Sequence, residues 1–471
     1  MAKRKIKIGL VDADLLCNGT RHPNLVLMKI AGFLNDNGID SKLIIDHDED
    51  ITPYKLIYIS RVFTFTQMPA FYENATPAHQ RKFRKGGTGF YANELNVNKY
   101  RYQREKDMNQ LENDEFLNQY RNRRGGCRTH GIDLARQMPY YHLYDEFVDR
   151  KVAEGHKRDK YKDYQQYSIG FLTRGCIRHC PFCINKLEDR ILPYSDLEWF
   201  LDDERDEHGH LVRPYIYLWD DNFLAADPQI WRTKLQQLID SGRPFQFRQG
   251  LDERMLAESP YGEEMAEMLS RTKYHGDFIF AFDNWKDRDL IERALKIWKR
   301  HNPKKGTKFY LFCGFKQTSK DTKRFYRDLW ELFQRIKILM QYGCVGYVMR
   351  HEDYHNAPIA NIYVQIARWS NQQQFYKKMS FWQFCYRNQS YWEEKTLKIK
   401  ERPQLKSFEE FYQDFCDGYY DNVKMCLPLQ SLMKVLDMFP EQREDLLEMF
   451  NYSMSNLQDG SLWQSDESPR N

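Results

Sequence analysis

The sequence predicts an α/β protein, and two observations carry that prediction. An apolar β-rich segment, KIKIGLVDA, is followed by PNLVLMKIAGFLNDNG, whose apolar residues recur at helical spacing between Pro23 and Gly38. From Tyr167 onward six further apolar segments follow, separated by intervals long enough for a helix. Because strands that alternate with helices pair in parallel, we expect parallel sheets.

Residues 1–92 are expected to form the first domain. SKLIID and KLIYISRVF supply two strands after the first helix, so residues 5–63 form a βαβ unit that continues into an open sheet. The domain closes near KGGTGF, where Gly86, Gly87 and Gly89 permit a tight turn or a close backbone approach.

Residues 93–165 are expected to be a charged linker with one or two helices, because NVNKYRYQREKDMNQLENDEF and RNRRGGCRTHG have weak periodicity and few aliphatic residues. A solvated surface is the preferred interpretation of the basic run, and a phosphate-binding patch is the alternative. The run comprises Arg121, Arg123, Arg124 and Arg128.

Residues 166–355 are expected to hold the six strands YSIGFL, PYIYLWDD, FQFRQG, GDFIFAFDN, KFYLFCGF and CVGYVMRH. Right-handed crossovers would curl such a sheet into a full or partial barrel. Ser195 and Glu198 form a predicted capping box, and a second helix is predicted from Asp227 to Gly242. Residues 356–471 show helical periodicity and are expected to form a helical extension with a polar tail, SDESPRN.

Composition limits the class of protein. Aromatic residues make up 15% of the chain, which suits a large folded enzyme, and the net charge of +4 does not by itself indicate nucleic acid or an anionic membrane. The first apolar run is too short for a signal peptide, and no window approaches the ~20 apolar residues of a membrane span. We therefore expect a cytoplasmic protein that does not contact membranes, with reduced cysteines.

One cysteine cluster stands out from the scattered thiols. The stretch GFLTRGCIRHCPFCINK places Cys176, Cys180 and Cys183 within eight positions, in a loop directly after a predicted strand. Structural zinc sites usually use four ligands. Three thiolates can instead bind three irons of a [4Fe-4S] cluster and leave the fourth iron open to a substrate or cofactor.

This cluster is similar to the motif of the radical S-adenosylmethionine (radical SAM) enzymes, including the aromatic Phe182 before the last cysteine. The resemblance implies a [4Fe-4S] cluster and S-adenosyl-L-methionine as cofactors. It also implies reductive cleavage to a 5′-deoxyadenosyl radical, an electron donor such as flavodoxin or ferredoxin, and a radical SAM core built as a partial (β/α)6 barrel.

The same resemblance implies cofactor-binding residues at the ends of the strands. Asp220, Asp221 and Asn222 replace the usual Gly-Gly-Glu that receives the methionyl amine. Gln249 and Asp283 follow the third and fourth strands, where ribose hydroxyls and the methionyl carboxylate usually bind. Local turns and helix caps are the alternative explanation for these polar residues.

The N-terminal domain resembles the Rossmann-like cobalamin-binding domain of one radical SAM class. Where that class has Asp-x-His-x-x-Gly, Asp12 is followed by Asp14 and no histidine, which argues against histidine coordination of cobalt. Histidine-free cobalamin binding stays open, and it would make methyl transfer to an unactivated carbon the expected reaction.

More closely, PNLVLMK, RVFTFT, GGTGF, FLTRGC, QGLD and ARWSN together are similar to a group of radical SAM proteins from anaerobic bacteria and their phages. That group has no assigned substrate. The resemblance therefore implies a fold and a cofactor, and the substrate stays unknown.

Two other functions stay open. Methylthiotransferase-like tRNA modification normally needs a second cluster held by three upstream cysteines, and only Cys17 and Cys127 precede the cluster. A zinc-stabilised nucleic-acid-binding protein would use the three clustered thiols with His179 or a distant fourth ligand, together with the basic runs RNRRGGCR and KRHNPKKGTK.

Overall fold

The computed structural model describes residues 7–20, 22–92, 94, 98–99, 101–103, 106, 110–122, 130–397, 404–421 and 423–463. Arg123, Arg124, Cys127, Arg128 and the predicted polar tail lie outside the described residues. The chain divides into two compact units, Met1–Gln249 and Gly250–Asn471. This boundary falls inside the predicted barrel segment.

The first unit begins with a four-stranded parallel sheet whose strand order is β2-β1-β3-β4. Its strands are β1 (Lys7–Asp12), β2 (Asp40–Leu43), β3 (Leu56–Ser60) and β4 (Phe83–Gly86). Its helices are α1 (Ala13–Asn18), α2 (Leu25–Asp36), α3 (Ala70–Glu73) and α4 (Pro77–Gln80). The predicted βαβ unit is confirmed, and β4 and α1 are additions that the sequence did not predict.

Helix α2 has a capped N-terminus and contributes its apolar face to the core of this unit. Asn24 caps it by accepting a hydrogen bond from the backbone N–H of Leu27, at 3.2 Å. Its predicted apolar stripe is buried and belongs to the same core cluster as β1 and β3 residues, including Ile30, Leu34, Leu10 and Tyr58.

The segment predicted as a linker also belongs to this core, which corrects that expectation. It contains α5 (Asp145–Ala153) and α6 (Lys162–Gln165). Phe116, Leu117, Tyr144, Val148 and Tyr164 are buried in the cluster that contains the α2 stripe. The expectation failed because these aromatic and aliphatic residues are spaced too irregularly to produce a helical or strand period.

A second sheet of the first unit consists of three parallel strands in the order β5-β8-β9. Its strands are β5 (Tyr167–Gly170), β8 (Tyr215–Leu218) and β9 (Phe245–Phe247). A short antiparallel hairpin, β6 (Thr173–Gly175) with β7 (Ile191–Pro193), lies between β5 and β8 in the chain. Helix α7 (Pro228–Asp240) begins after Asp227, as predicted.

The helix predicted after Ser195 is absent from this described segment, so that prediction was wrong. Only a single 3₁₀ turn forms, at Leu197–Trp199. The Ser195 hydroxyl donates a hydrogen bond to the carbonyl of Ala135 at 2.7 Å instead of capping a helix. The Ser195 side chain therefore bonds to a residue distant in sequence, and the predicted capping box does not form.

The second unit contains three parallel strands in the order β10-β11-β12. They are β10 (Phe278–Ala281), β11 (Thr307–Cys313) and β12 (Val345–Arg350). The helices around them are α8 (Met255–Glu258), α9 (Gly262–Ser270), α10 (Arg288–His301) and α11 (Thr322–Gln341). All six predicted core strands are confirmed as strands, and they form two three-stranded parallel sheets.

The predicted helical extension is confirmed as helical. Its helices are α12 (Ala360–Ser370), α13 (Gln373–Tyr376), α14 (Phe381–Leu397), α15 (Phe408–Cys416), α16 (Leu427–Met438), α17 (Arg443–Phe450) and α18 (Met454–Leu457). The rings of Trp369 and Phe450 lie 6.2 Å and 5.2 Å from the ring of Phe333 on α11. Helices α12 and α17 therefore pack against α11 in the second unit.

In the part of the chain that the structure describes, no helix combines the length and the apolar character needed to span a bilayer.

The buried position of Leu117 predicts a large loss of stability in Leu117→Ala. Leu117 is fully buried in the core cluster that includes α2. Removing a buried leucine side chain costs about 2–5 kcal/mol. Urea unfolding of Leu117→Ala would measure the loss, with the exposed neighbour in Glu115→Ala as a control that should change stability by no more than about 0.5 kcal/mol. Equal stability of the two variants would contradict the placement of this segment in the core.

The buried carboxyl of Asp12 predicts a pH dependence of stability. Burial raises the pKa of Asp12 from 3.8 to about 7, although the backbone N–H of Leu15 and the hydroxyl of Tyr144 donate hydrogen bonds to it. Between these values the folded state binds the proton more tightly than the unfolded state, so this group makes stability fall as pH rises from about 4 to about 7.

Asp12→Asn removes this titration and keeps the side-chain shape. The free energy of unfolding of Asp12→Asn should therefore decrease less than that of the wild type between pH 4.5 and pH 7.5, measured by urea unfolding. Parallel stability curves for the two proteins would show that Asp12 does not titrate with a raised pKa.

Candidate functional site

The cysteine loop is the connection of the β6–β7 hairpin. Thr173, Arg174 and Gly175 pair with Pro193, Leu192 and Ile191, so the hairpin holds residues 176–190 as its loop. Gly175 has φ +106°, and a Cβ atom there would lie 2.2 Å from the carbonyl oxygen of Arg190. Glycine is therefore required where the loop begins.

Backbone N–H groups inside the loop point at two of the three sulfurs. The N–H of Arg178 donates to Sγ of Cys176 at 3.3 Å, and the N–H of Asn185 donates to Sγ of Cys183 at 3.4 Å. The N–H of Cys183 donates to the carbonyl of Cys180 at 2.9 Å, which closes the turn between these residues. Hydrogen bonds to sulfur stabilise a thiolate and tune any iron–sulfur cluster that it binds.

Asp221 accepts hydrogen bonds from residues on both sides of the three cysteines. Its Oδ2 accepts from the backbone N–H of Gly175 at 3.0 Å and from Nε of Arg174 at 3.2 Å. Its Oδ1 accepts from Nδ2 of Asn185 at 2.9 Å. One carboxylate after β8 thus joins the residue before Cys176 to the second residue after Cys183.

Asn222 reaches the first cysteine directly. Its side chain is only 3% exposed, and its Nδ2 donates to Sγ of Cys176 at 3.5 Å. This sulfur therefore receives a donor from outside the loop in addition to the backbone N–H of Arg178.

Asp220 holds the turn after β5. Its carboxylate accepts hydrogen bonds from the N–H of Leu172, the N–H of Thr173 and the hydroxyl of Thr173, at 3.1, 2.6 and 2.7 Å. Burial raises the pKa of Asp220 to about 6 against the effect of these donors. These contacts match the local turn role that the sequence left as the alternative to binding a methionyl amine.

The other predicted site residues lie in different surroundings. Phe182 is half-buried within the cysteine loop, and Gln249 follows β9 with an exposed side chain. Asp283 belongs to the second unit, where it follows β10. Desolvation raises the pKa of Asp283 to about 6, and the guanidinium groups of Arg335 and Arg254 oppose that rise. Of the predicted site residues that follow β8, Asp221 and Asn222 contact the cysteine loop.

Two of the site residues were missed by the sequence analysis. Asn185 and Arg174 both donate to Asp221. Asn185 stands two positions after the last cysteine, and its role depends on the strand order that brings β8 beside β5. No spacing in the sequence identifies such a contact.

The cysteine loop supplies three thiols, the type of ligand that iron–sulfur clusters use. Among the described residues, no group of three or more His, Cys, Asp or Glu side chains is arranged to hold a metal ion. Three thiols with N–H donors on two sulfurs nevertheless fit a [4Fe-4S] cluster, whose ligands are thiolates. His179, the alternative zinc ligand, is exposed, and its Nδ1 lies 3.1 Å from the carbonyl oxygen of Lys186.

Asp14 and Gly87 of the N-terminal domain make contacts within that domain. A Cβ atom on Gly87 would lie 2.4 Å from the carbonyl oxygen of Arg61, directly after β3, so this close approach explains the glycine. Asp14 accepts hydrogen bonds from the N–H groups of Val62 and Phe63, at 2.6 and 3.2 Å.

In comparisons with known proteins, no family model matches the chain and no curated protein matches it.

Proposed function

We propose that the protein is a radical SAM enzyme that acts on an unknown substrate. The observation that carries the proposal is the three-cysteine loop after β5, in which N–H donors point at two of the sulfurs. The two sets of three parallel strands support the same proposal, because polar residues follow β8, β9, β10 and β12 at their carboxyl ends.

The residues of the loop have separate roles in this proposal. Cys176, Cys180 and Cys183 would hold a [4Fe-4S] cluster, which with S-adenosylmethionine and an electron from a flavodoxin or ferredoxin would supply a 5′-deoxyadenosyl radical. The N–H groups of Arg178 and Asn185 stabilise the thiolate form of the first and last cysteines. The hairpin fixes both ends of the loop.

The proposed architecture is a Rossmann-like domain, a partial (β/α)6 barrel and a helical extension. The parallel order β2-β1-β3-β4 supports the Rossmann-like domain. The strand order reverses between β1 and β3, and such a reversal creates the crevice where ligands bind in this type of fold. The parallel sets β5-β8-β9 and β10-β11-β12 follow the chain order expected for successive strands of a barrel.

The alternative functions gain less support. In the second basic run, Lys299 is buried, Arg300 and His301 both contact Glu263, and Lys308 lies 3.4 Å from Asp277. The run also includes two exposed lysines, Lys304 and Lys305. A nucleic-acid interface needs cations that face phosphates, so only part of this run supports it.

Methylthiotransferase-like tRNA modification lacks its upstream cluster. Cys17 lies on α1, where its sulfur accepts a hydrogen bond from the N–H of Gln67 at 3.3 Å. Cys127 is the only other cysteine before the loop, so a second three-thiolate site cannot be built upstream. Cobalamin-dependent methyl transfer is not favoured either, because Asp14 and Gly87 have roles within their domain.

The proposal predicts that the wild-type protein cleaves S-adenosylmethionine. After anaerobic reconstitution with iron and sulfide, it should form 5′-deoxyadenosine when S-adenosylmethionine and a strong reductant are added, measured by mass spectrometry. Cys180→Ala should reduce the product to background, because losing one of three thiolate ligands leaves the cluster incompletely bound.

Cys416→Ala is the matched control, because Cys416 is exposed and lies outside the loop. This variant should form as much product as the wild type. A wild-type protein that takes up zinc and no iron–sulfur cluster, or product formation that is unaffected by Cys180→Ala, would contradict the proposed function.

A further inference from the structure

We propose that Asp221 and Asn222 are positioning residues for the cysteine loop, and that they take this role in place of receiving the methionyl amine. The inference rests on the proposed function for the identity of the bound group. The contacts that carry it involve only residues of the first unit and exist in the protein chain itself.

Most acceptor sites of the Asp221 carboxylate are occupied by donors from the cysteine loop and the strand before it. A carboxylate offers about four acceptor sites, and three donors already occupy Asp221. These donors come from Gly175 and Arg174 on one side of the cysteines and from Asn185 on the other. The side chain is 13% exposed, so few directions are left for a ligand ammonium.

Asn185 contacts both Asp221 and the sulfur of Cys183. Its side-chain amide donates to Asp221, and its backbone N–H donates to Sγ of Cys183. Because one residue makes both contacts, the carboxylate restrains the N–H that points at the last cysteine.

Asn222 acts on the first cysteine in a different way. It places a buried amide N–H 3.5 Å from Sγ of Cys176. Donors to a cluster-ligating sulfur stabilise its negative charge and thereby raise the reduction potential of the cluster. Of two consecutive residues after β8, Asn222 thus contacts the first cysteine directly, and Asp221 contacts Asn185, whose backbone N–H donates to the last one.

The role of Asp221 can be tested first on the cluster-free protein. Asp221→Asn keeps the side-chain volume but puts an N–H group opposite at least one of the three donors, so the bridge between Gly175 and Asn185 breaks. Alkylation of Cys176 and Cys183 by iodoacetamide, followed by mass spectrometry, should become several-fold faster in Asp221→Asn. The exposed Cys416 in the same chain is the internal standard, and its rate should not change.

After reconstitution, the same variant should release iron to a chelator roughly 10- to 100-fold faster than the wild type, the usual cost of losing an outer-shell partner. Glu198→Gln is the matched control, because Glu198 is an exposed carboxylate between β7 and β8. Circular dichroism would verify that all variants are folded.

The role of Asn222 can be tested by measuring the midpoint potential of the reconstituted cluster. A residue that only supports the fold would not change this potential. Asn222→Leu has nearly the same shape and no donor, so the potential should become more negative. Asn222→Ser keeps a hydroxyl donor and should recover part of the shift. An EPR-monitored redox titration measures all three proteins.

The outcomes separate this inference from the proposed function. If the wild type forms no cluster, the proposed function fails, whereas the alkylation rates still decide the role of Asp221. Unchanged alkylation and iron release in Asp221→Asn, or equal potentials in the wild type and Asn222→Leu, would overturn the positioning role while leaving the proposed enzyme class intact.

Discussion

The contact between the end of β8 and the cysteine loop is the interaction on which the candidate site depends. The loop follows β5 and is closed by the β6–β7 hairpin, which fixes the two ends of its fifteen residues. Asp221 joins Gly175, before the cysteines, to Asn185, after them, and Asn222 contacts the first sulfur. The parallel pairing of β5 with β8 makes this possible, because it brings the carboxyl ends of the two strands to the same edge.

Much of the fold could be predicted from the sequence. The core strands appear as short apolar runs, and helices such as α2 and α7 carry both periodicity and caps at Asn24 and Asp227. The prediction failed where tertiary contacts override local signals. Ser195 bonds to Ala135 instead of starting a helix, and the segment around Leu117 and Tyr144 packs into the core without any regular period.

The site was predictable only in its local part. The cysteine spacing is visible in the sequence because the three thiols lie within one short loop. The partners of those thiols are not visible in this way, since Asp221 and Asn185 are 36 positions apart and meet only through the sheet. Gly87 was expected to permit a tight turn or a close backbone approach, and the sequence alone could not identify its neighbour, the backbone of Arg61.

The proposed function requires Cys176, Cys180 and Cys183 to hold a [4Fe-4S] cluster with one open iron. The most direct test is the EPR spectrum of the reduced, anaerobically reconstituted protein, recorded with and without S-adenosylmethionine, together with iron, sulfide and zinc analysis. We expect one [4Fe-4S] cluster per chain and a spectrum that changes when S-adenosylmethionine binds. Bound zinc without a cluster, or a cluster spectrum that S-adenosylmethionine leaves unchanged, would contradict it.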